Sequence, residues 1–301
     1  MYYRSLSGEL KEKFGQKLYK IALDGGFTCP NRDGTIGTRG CSFCLGGSGN
    51  FAEEKCESVF EQIERAKRLV EKKNPSGKYI AYFQSYTNTY APPEKLRRLF
   101  GEAAAHPDIA AISVGTRPDC LPPEVIEVLS ELNGIKPVWV ELGLQTIHGR
   151  TAEKIRRGYP LSVFDEAIKS CKAAGLYTVV HMIIGLPGET AEMAAQTAAY
   201  IGKSGADGIK LQLLHVLRGT DLAADYAAGL FDVMSMDEYI AALEECVRRL
   251  PPNITIHRLT GDGDKKYLVA PLWSGDKKRV LNAVNAAFCR DNVVQGEHYE
   301  I

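Results

Sequence analysis

Three cysteines fall in one glycine-rich stretch, TCPNRDGTIGTRGCSFCLGGSGN, residues 28–50. Two residues separate Cys41 from Cys44, and eleven separate Cys29 from Cys41. Thiolates are soft ligands, and three in one loop suit zinc or an iron–sulfur cluster. A closed structural zinc site needs a fourth ligand. No histidine precedes His106, so the candidate is Cys56, which stands where the first strongly periodic helix is expected to begin. A single helix cysteine ordinarily packs, and Cys120, Cys171, Cys246 and Cys289 are scattered singly in the same way. Three thiolates with an open position suit a catalytic zinc, or a [4Fe–4S] cluster with one iron free for a small molecule. The spacing serves either. The surroundings favour the cluster: Gly34, Gly37, Gly40, Gly46, Gly47 and Gly49 let backbone amides approach sulfur, and Phe43 can screen a cluster from water.

The elements around this loop alternate in type. Apolar runs that read as strands lie at 16–24, 78–84, 108–116, 136–145, 176–185 and 208–216. Between them, helical spacing marks 57–73, 93–105, 122–132, 149–157, 162–174 and 189–204. Six strand–helix units predict a parallel sheet, and continuous apolar strands predict that both its faces are buried. Periodicity does not choose between an open doubly wound sheet and a partly closed barrel. After residue 217 the pattern changes to a helix (236–250), a strand (253–261) and a final helix (277–289), read as an appended layer on the same domain. The last dozen residues are polar and read as a loosely held tail.

In either architecture, ligands bind at the carboxyl edge of the strands, where the cysteine loop lies. Other polar and glycine-rich groups gather there: Gln84 to Thr89, Thr116 to Asp119, Glu141 to Gln145, and Gly185 to Glu189. Each is weak alone. Together they describe one site beside the cysteines.

Composition narrows the setting. Lys plus Arg and Asp plus Glu are both 37, so no global field points to a polyanion or a membrane. The first twenty residues are charged throughout, without the apolar core of a signal peptide, and the longest apolar stretch is too short to span a bilayer. A soluble cytoplasmic protein is expected, a setting in which clustered cysteines more often bind metal or do chemistry than form disulfides.

The stretches FGQKLYKIALDGGFTCPNRDGTIGTRGCSFC, VGTRPDCL, VELGLQT, RRGYP, HMIIGLPGET and LHVLRGTDL, in this order, resemble the radical S-adenosylmethionine (SAM) superfamily. The branch is that of the Elongator catalytic subunit and the bacterial YhcC/YtqA proteins, which shares the long first gap between cysteines. The resemblance implies an α/β fold: a partial (β/α)6 barrel over residues 1–217, with a small C-terminal α+β extension over 218–301. It implies a [4Fe–4S] cluster on Cys29, Cys41 and Cys44, its fourth iron chelating SAM. Gln84 to Asn88 would approach the SAM amino group, Arg157 the carboxylate, and Gln145 and His181 the ribose. Gly185, Leu186 and Pro187 would line the adenine. Relatives often carry a glutamate before TRPD where this chain has Gly115. No catalytic residue beyond these contacts is assigned.

Reductive cleavage of SAM to a 5′-deoxyadenosyl radical is the implied chemistry, with a reductant such as flavodoxin or ferredoxin. The implied substrate is tRNA, at carbon 5 of the wobble uridine. Elongator's acetyltransferase domain has no counterpart in these 301 residues. Trimming of carboxymethylaminomethyl-uridine to aminomethyl-uridine, associated with the YtqA-like branch, is therefore the expected reaction. Basic pairs at Arg156–Arg157, Lys265–Lys266 and Lys277–Arg279, with Tyr267 and Trp273 between the last two, offer charge and stacking surfaces for tRNA. Two alternatives are a radical enzyme acting on a small metabolite, which the neutral charge suits, and a non-enzymatic four-cysteine metal module.

Overall fold

The computed structural model describes residues 2–46, 58–74, 77–261 and 263–300. Cys56, Gly47 and Gly49 lie outside these residues. The main sheet has seven parallel strands in the order β1 (Tyr19–Leu23), β2 (Tyr79–Phe83), β3 (Ile109–Thr116), β4 (Val138–Gln145), β5 (Tyr177–Ile184), β6 (Gly208–Leu213) and β8 (Thr255–Arg258). The short strands β7 (Val216–Leu217) and β9 (Leu268–Ala270) form a separate antiparallel pair.

Helices follow the strands as the periodicity predicts. α2 (Val59–Val70), α3 (Pro93–Ala105), α4 (Pro123–Asn133), α6 (Leu161–Ala173) and α7 (Ala191–Lys203) bury apolar faces against the sheet. Their starts have local causes. Ser58 and Thr190 accept backbone N–H bonds at the N-caps of α2 and α7, and prolines open α3 and α4, where a missing N–H costs nothing. α9 (Met236–Arg249) begins with a full capping box between Ser235 and Glu238. α5 (Gly149–Lys154) stops three residues short of the expected 157, because Arg156 takes a positive φ and turns the chain toward the cysteine loop.

Contacts across the sheet show its curl. Lys210 on β6 reaches the Tyr82 hydroxyl on β2 at 3.3 Å. In a flat sheet, strands four places apart stand about 19 Å from each other. The sheet is a partial barrel, and its inner face carries polar side chains from most strands.

Three elements depart from the sequence reading. A first helix, α1 (Leu6–Phe14), precedes β1, and its helical spacing is hidden by many charges; Leu10 is buried while Glu9 pairs with Arg4 and Lys13. The strand in the segment read as an appended layer, β8, is the seventh strand of the main sheet, beside β6. The expected loose tail is tied down. Beyond α10 (Lys277–Arg290), Val293 is buried, and the buried Gln295 donates to Pro251 O and Ile254 O and accepts from Arg4 N. A short α8 (Asp221–Ala227) follows β7. Among the described residues, no helix is long and apolar enough to cross a membrane.

Candidate active site

A cavity of about 250 Å³ opens at the carboxyl ends of β2 to β5. It is lined by Cys29, Cys41 and Cys44, and by Gln84, Gln145, Arg157 and His181 of the sequence-predicted residues. Asn88 does not line it. Its side-chain amide donates to Ser85 O and Gly115 O, so it shapes the loop after β2 from behind. Gly185, Leu186 and Pro187 do not line it either. Leu186 belongs to a small apolar cluster with Ile155, Ile183 and Leu222, against which the cavity residue Phe43 packs.

The cysteine loop is fastened to the barrel by its backbone. Ser42 N donates to Ile155 O, Leu222 N to Ser42 O, and Arg156 Nε to Gly40 O. Asn31 Nδ2 donates to Arg156 O at 2.7 Å and lies 3.6 Å from Cys41 Sγ. Gly40 has φ +72°, and a Cβ there would fall 2.7–2.9 Å from the Arg32 guanidinium, which donates to Cys44 O. The glycine thus makes room for an arginine under the loop.

Arg156 and Arg157 are structural within the chain, not a solvated basic face. Arg156 also pairs with Asp221. Arg157 is 3% exposed and donates to Tyr159 O, Thr146 O and Leu144 O. None of these partners is a carboxylate, so its full charge stands beside the cavity. Arg117 donates twice to Asp119 and once to Arg157 O, closing the same wall. Gln145 has a positive φ, and its Oε1 is buried without a protein partner. Gly143 leaves space for that amide, since a Cβ there would sit 3.0 Å from Gln145 Nε2.

Below the cavity floor lies a hub that no motif announces. Glu141 on β4 is fully buried and paired with both Lys20 of β1 and Lys210 of β6. It also accepts from Ser113 Oγ at 2.6 Å and His181 Nε2 at 2.7 Å. His181 Nδ1 faces Gln212 Nε2 at 3.3 Å, so both ring nitrogens are engaged. Burial and the charge of Lys210 push the His181 pKa down to about 4, against the pull of Glu141. The ring is neutral near pH 7. The sequence signal for this hub is a charge inside an apolar strand: Lys20 in KLYKIALD, Glu141 in VWVELGLQ and Lys210 in GIKLQLL.

Among the described residues, Glu64, His106 and Asp108 bring ligand atoms within 4.8 Å of one another. Lys67 already occupies this cluster, 2.7 Å from Glu64 and 2.6 Å from Asp108, and His106 Nδ1 accepts from Asp108 N. It is a salt-bridge knot at the opposite end of β3.

Residues 33–201 match the radical SAM superfamily model, and residues 206–290 match the radical SAM C-terminal domain. The chain belongs to the radical SAM superfamily. This radical SAM enzyme is 41% identical over 299 residues to the uncharacterized protein YtqA of Bacillus subtilis (strain 168), a match covering 99% of this chain and 93% of that one. It is 26% identical over 164 residues to a tRNA uridine(34) acetyltransferase of Methanocaldococcus jannaschii, covering 54% of this chain and 30% of the other. An Elp3 from the archaeon Methanocaldococcus infernus, with residues 1–46 deleted, superposes with a TM-score of 0.71 at 18% identity. That superposition covers 92% of this chain and 64% of the other, slightly under two thirds, and shows the shared fold. The cofactors of the radical SAM enzyme are a [4Fe–4S] cluster and SAM.

The donor set in the cavity fits the cluster. Three thiols of one loop, Cys29, Cys41 and Cys44, line the same cavity beside the orphaned Gln145 Oε1, a soft donor set with polar room for a small molecule next to it. Burial, Cys44 and Cys29 push the Cys41 thiol up to about 11. Three crowded thiols ionise together when a cationic centre offsets their charge.

Proposed function

We propose that this radical SAM enzyme acts on tRNA, and that its reaction removes the carboxymethyl part of carboxymethylaminomethyl-uridine to leave aminomethyl-uridine. The observation that carries the reading is the joint lining of one barrel-end cavity by the three cysteines, the orphaned Gln145 Oε1 and the carbonyl-bound Arg157. The partial likeness to a tRNA uridine(34) acetyltransferase supports the substrate. The setting is cytoplasmic.

In this reading Cys29, Cys41 and Cys44 hold the cluster. Gln145 Oε1, buried without a protein partner, would accept from a hydroxyl of SAM, and the charge of Arg157 would steady an anionic group beside the cavity without surrendering its carbonyl bonds. Gln84 borders the same space, and Phe43 keeps water from it. When bound, cluster and SAM supply a 5′-deoxyadenosyl radical that takes a hydrogen atom from an unactivated carbon.

The glycine-derived methylene is the chosen carbon, since its nitrogen and carboxylate stabilise the resulting radical. Loss of one hydrogen atom and one electron leaves an imine, which water splits to aminomethyl-uridine and glyoxylate. The balance is SAM, nucleoside and water giving methionine, 5′-deoxyadenosine, aminomethyl nucleoside, glyoxylate and a proton.

The docking surface differs from the basic pairs read in the sequence. Arg156 and Arg157 are consumed inside the fold. Trp273 donates its indole N–H to Met234 O at 3.0 Å and packs on Tyr239. Of the basic pairs read in the sequence, Lys265, Lys266 and Lys277–Arg279 are exposed. Anaerobic incubation of reconstituted protein with SAM, a reductant and tRNA bearing carboxymethylaminomethyl-uridine is expected to yield aminomethyl-uridine in the digested nucleosides. An unchanged nucleoside profile there, and in tRNA from a deletion strain, would move the reaction to a small metabolite.

A further inference from the structure

Tyr86 holds a backbone conformation that the fold does not ask of a tyrosine. Its φ is +59°, in the left-handed region that a bulky side chain enters only under strain. Fourteen described glycines take positive φ, Gly40 and Gly46 of the cysteine loop among them, and four other residues do. Three of those four have a reason on the page. Arg156 reaches Gly40 O and Asp221, Gln145 brings its amide to the cavity, and Asn292 is of a type that tolerates the region. Tyr86 is the fourth. It lines the cysteine cavity and is 41% exposed.

The loop that carries Tyr86 is held on both sides of it. Gln84 N donates to Leu23 O at 3.1 Å, and Thr87 N to Thr28 O at 3.2 Å. Asn88 donates to Gly115 O from both its backbone and its side chain, and its side chain also reaches Ser85 O. Thr87 and Asn88 are each 1% exposed, so an exposed ring stands on a buried turn. If the turn alone mattered, glycine would make it without strain. The other aromatic rings of this cavity are engaged within the fold. Tyr159 donates to Gly143 O, Tyr82 meets Lys210, and Phe43 packs on the Leu186 cluster. Among the described residues, none shares a side-chain hydrogen bond or ring contact with Tyr86.

Unpaired bases are held by laying them on exposed aromatic faces. We propose that Tyr86 is the stacking platform for the target nucleobase, holding it flat at the cavity mouth while its C5 side chain enters beside the cysteines. That the planar group is a nucleobase rests on the tRNA reading above. SAM brings a second planar group, its adenine. A cofactor held against the three cysteines lies inside, whereas a residue this exposed meets what arrives from solution.

The test uses reconstituted holoenzyme with SAM and two tRNAs. One bears carboxymethylaminomethyl-uridine at the wobble position, and the other is the same tRNA with an abasic site there. Wild type is expected to bind the first about 5- to 150-fold more tightly, the range of one base–aromatic stack. Tyr86→Ala should lose that preference by weakening the base-bearing tRNA alone. Tyr86→Phe should keep it, since the ring and not the hydroxyl makes the stack. Thermal melts add a readout that a structural role would not give. Tyr86→Gly relieves the positive φ, so it should melt at or above wild type while binding the base-bearing tRNA as weakly as Tyr86→Ala.

A wild type without the preference, a preference that survives Tyr86→Ala, or equal weakening of both tRNAs overturns the stack. Loss of SAM affinity in Tyr86→Ala assigns the ring to the cofactor instead, and a Tyr86→Gly melt well below wild type makes the residue structural. All of these leave the tRNA reading standing. A wild type that binds neither tRNA sinks that reading and the stack with it.

Discussion

Replacing Cys29, Cys41 or Cys44 with alanine is expected to empty the cluster site. Anaerobically reconstituted wild type should carry about four irons per chain if it binds one [4Fe–4S] cluster. Each single variant should fall to near zero, and reductive SAM cleavage should fall with it. Cys120→Ala is the informative control. That cysteine is buried beside Asp119 and near enough to Cys29 to feel its charge, yet it does not line the cavity. Burial first, then Asp119, raises its pKa to about 12, so it stays a thiol and should leave the iron content unchanged. Cys56→Ala should do the same. Iron content that survives each of the three substitutions but falls in Cys56→Ala or Cys120→Ala would overturn the ligand assignment.

Glu141→Gln is expected to cost the fold about 3–5 kcal/mol, with a drop in Tm on the order of 10 °C. The amide keeps the shape and removes the charge that Lys20 and Lys210 share. Burial already lowers the pKa of Lys20 and brings that of Lys210 to about 7, so without the carboxylate the two amines lose their counterion and are driven to give up a proton. Adding Lys210→Met should recover part of the loss, since it removes one of the stranded amines. The pH dependence has a definite sign. Burial would raise the carboxyl pKa of Glu141, but Lys20, Lys210 and His181 more than reverse this and hold it well below the ordinary 4.5. Its stabilisation is therefore fully present above about pH 4.5 and is lost only as acid protonates the folded form. The gap between wild type and Glu141→Gln should persist through neutral pH and close in acid. Thermal melts across pH 3–8 check both points; matching melts for the two proteins at pH 7 would show that the hub does not support the fold.

How much of this was legible follows from what each feature depends on. The strand–helix alternation could be read because β2 to β6 are mostly buried apolar runs, and the helices carry a 3.6-residue period with local start signals such as Ser58 and Pro93. The curl and the seventh strand could not. Whether the TIHR segment of β8 pairs with β6 is decided by tertiary packing, and its four residues hold no signal of partner choice. The cysteines were legible because their chemistry is carried by residue type. The hub was not, because Lys20, Glu141 and Lys210 come from three strands and meet only when the sheet curls. Arg157 shows the converse. Its place at the cavity was readable, whereas its engagement with three backbone carbonyls depends on turns at Leu144 to Thr146 and at Tyr159. The tail misled for a related reason. Its polar composition is that of a loose end, but Gln295 satisfies backbone groups of the loop before β8.

The account turns on hydrogen abstraction from the glycine-derived methylene of the tRNA side chain. The most direct test supplies the reduced, reconstituted enzyme with SAM and tRNA whose carboxymethylaminomethyl-uridine carries two deuteriums on that methylene. Mass spectrometry then follows 5′-deoxyadenosine and glyoxylate. The account predicts one deuterium in 5′-deoxyadenosine, one in glyoxylate, and aminomethyl-uridine in the tRNA. Aminomethyl-uridine formed alongside unlabelled 5′-deoxyadenosine would contradict it, because the hydrogen would then have come from another carbon.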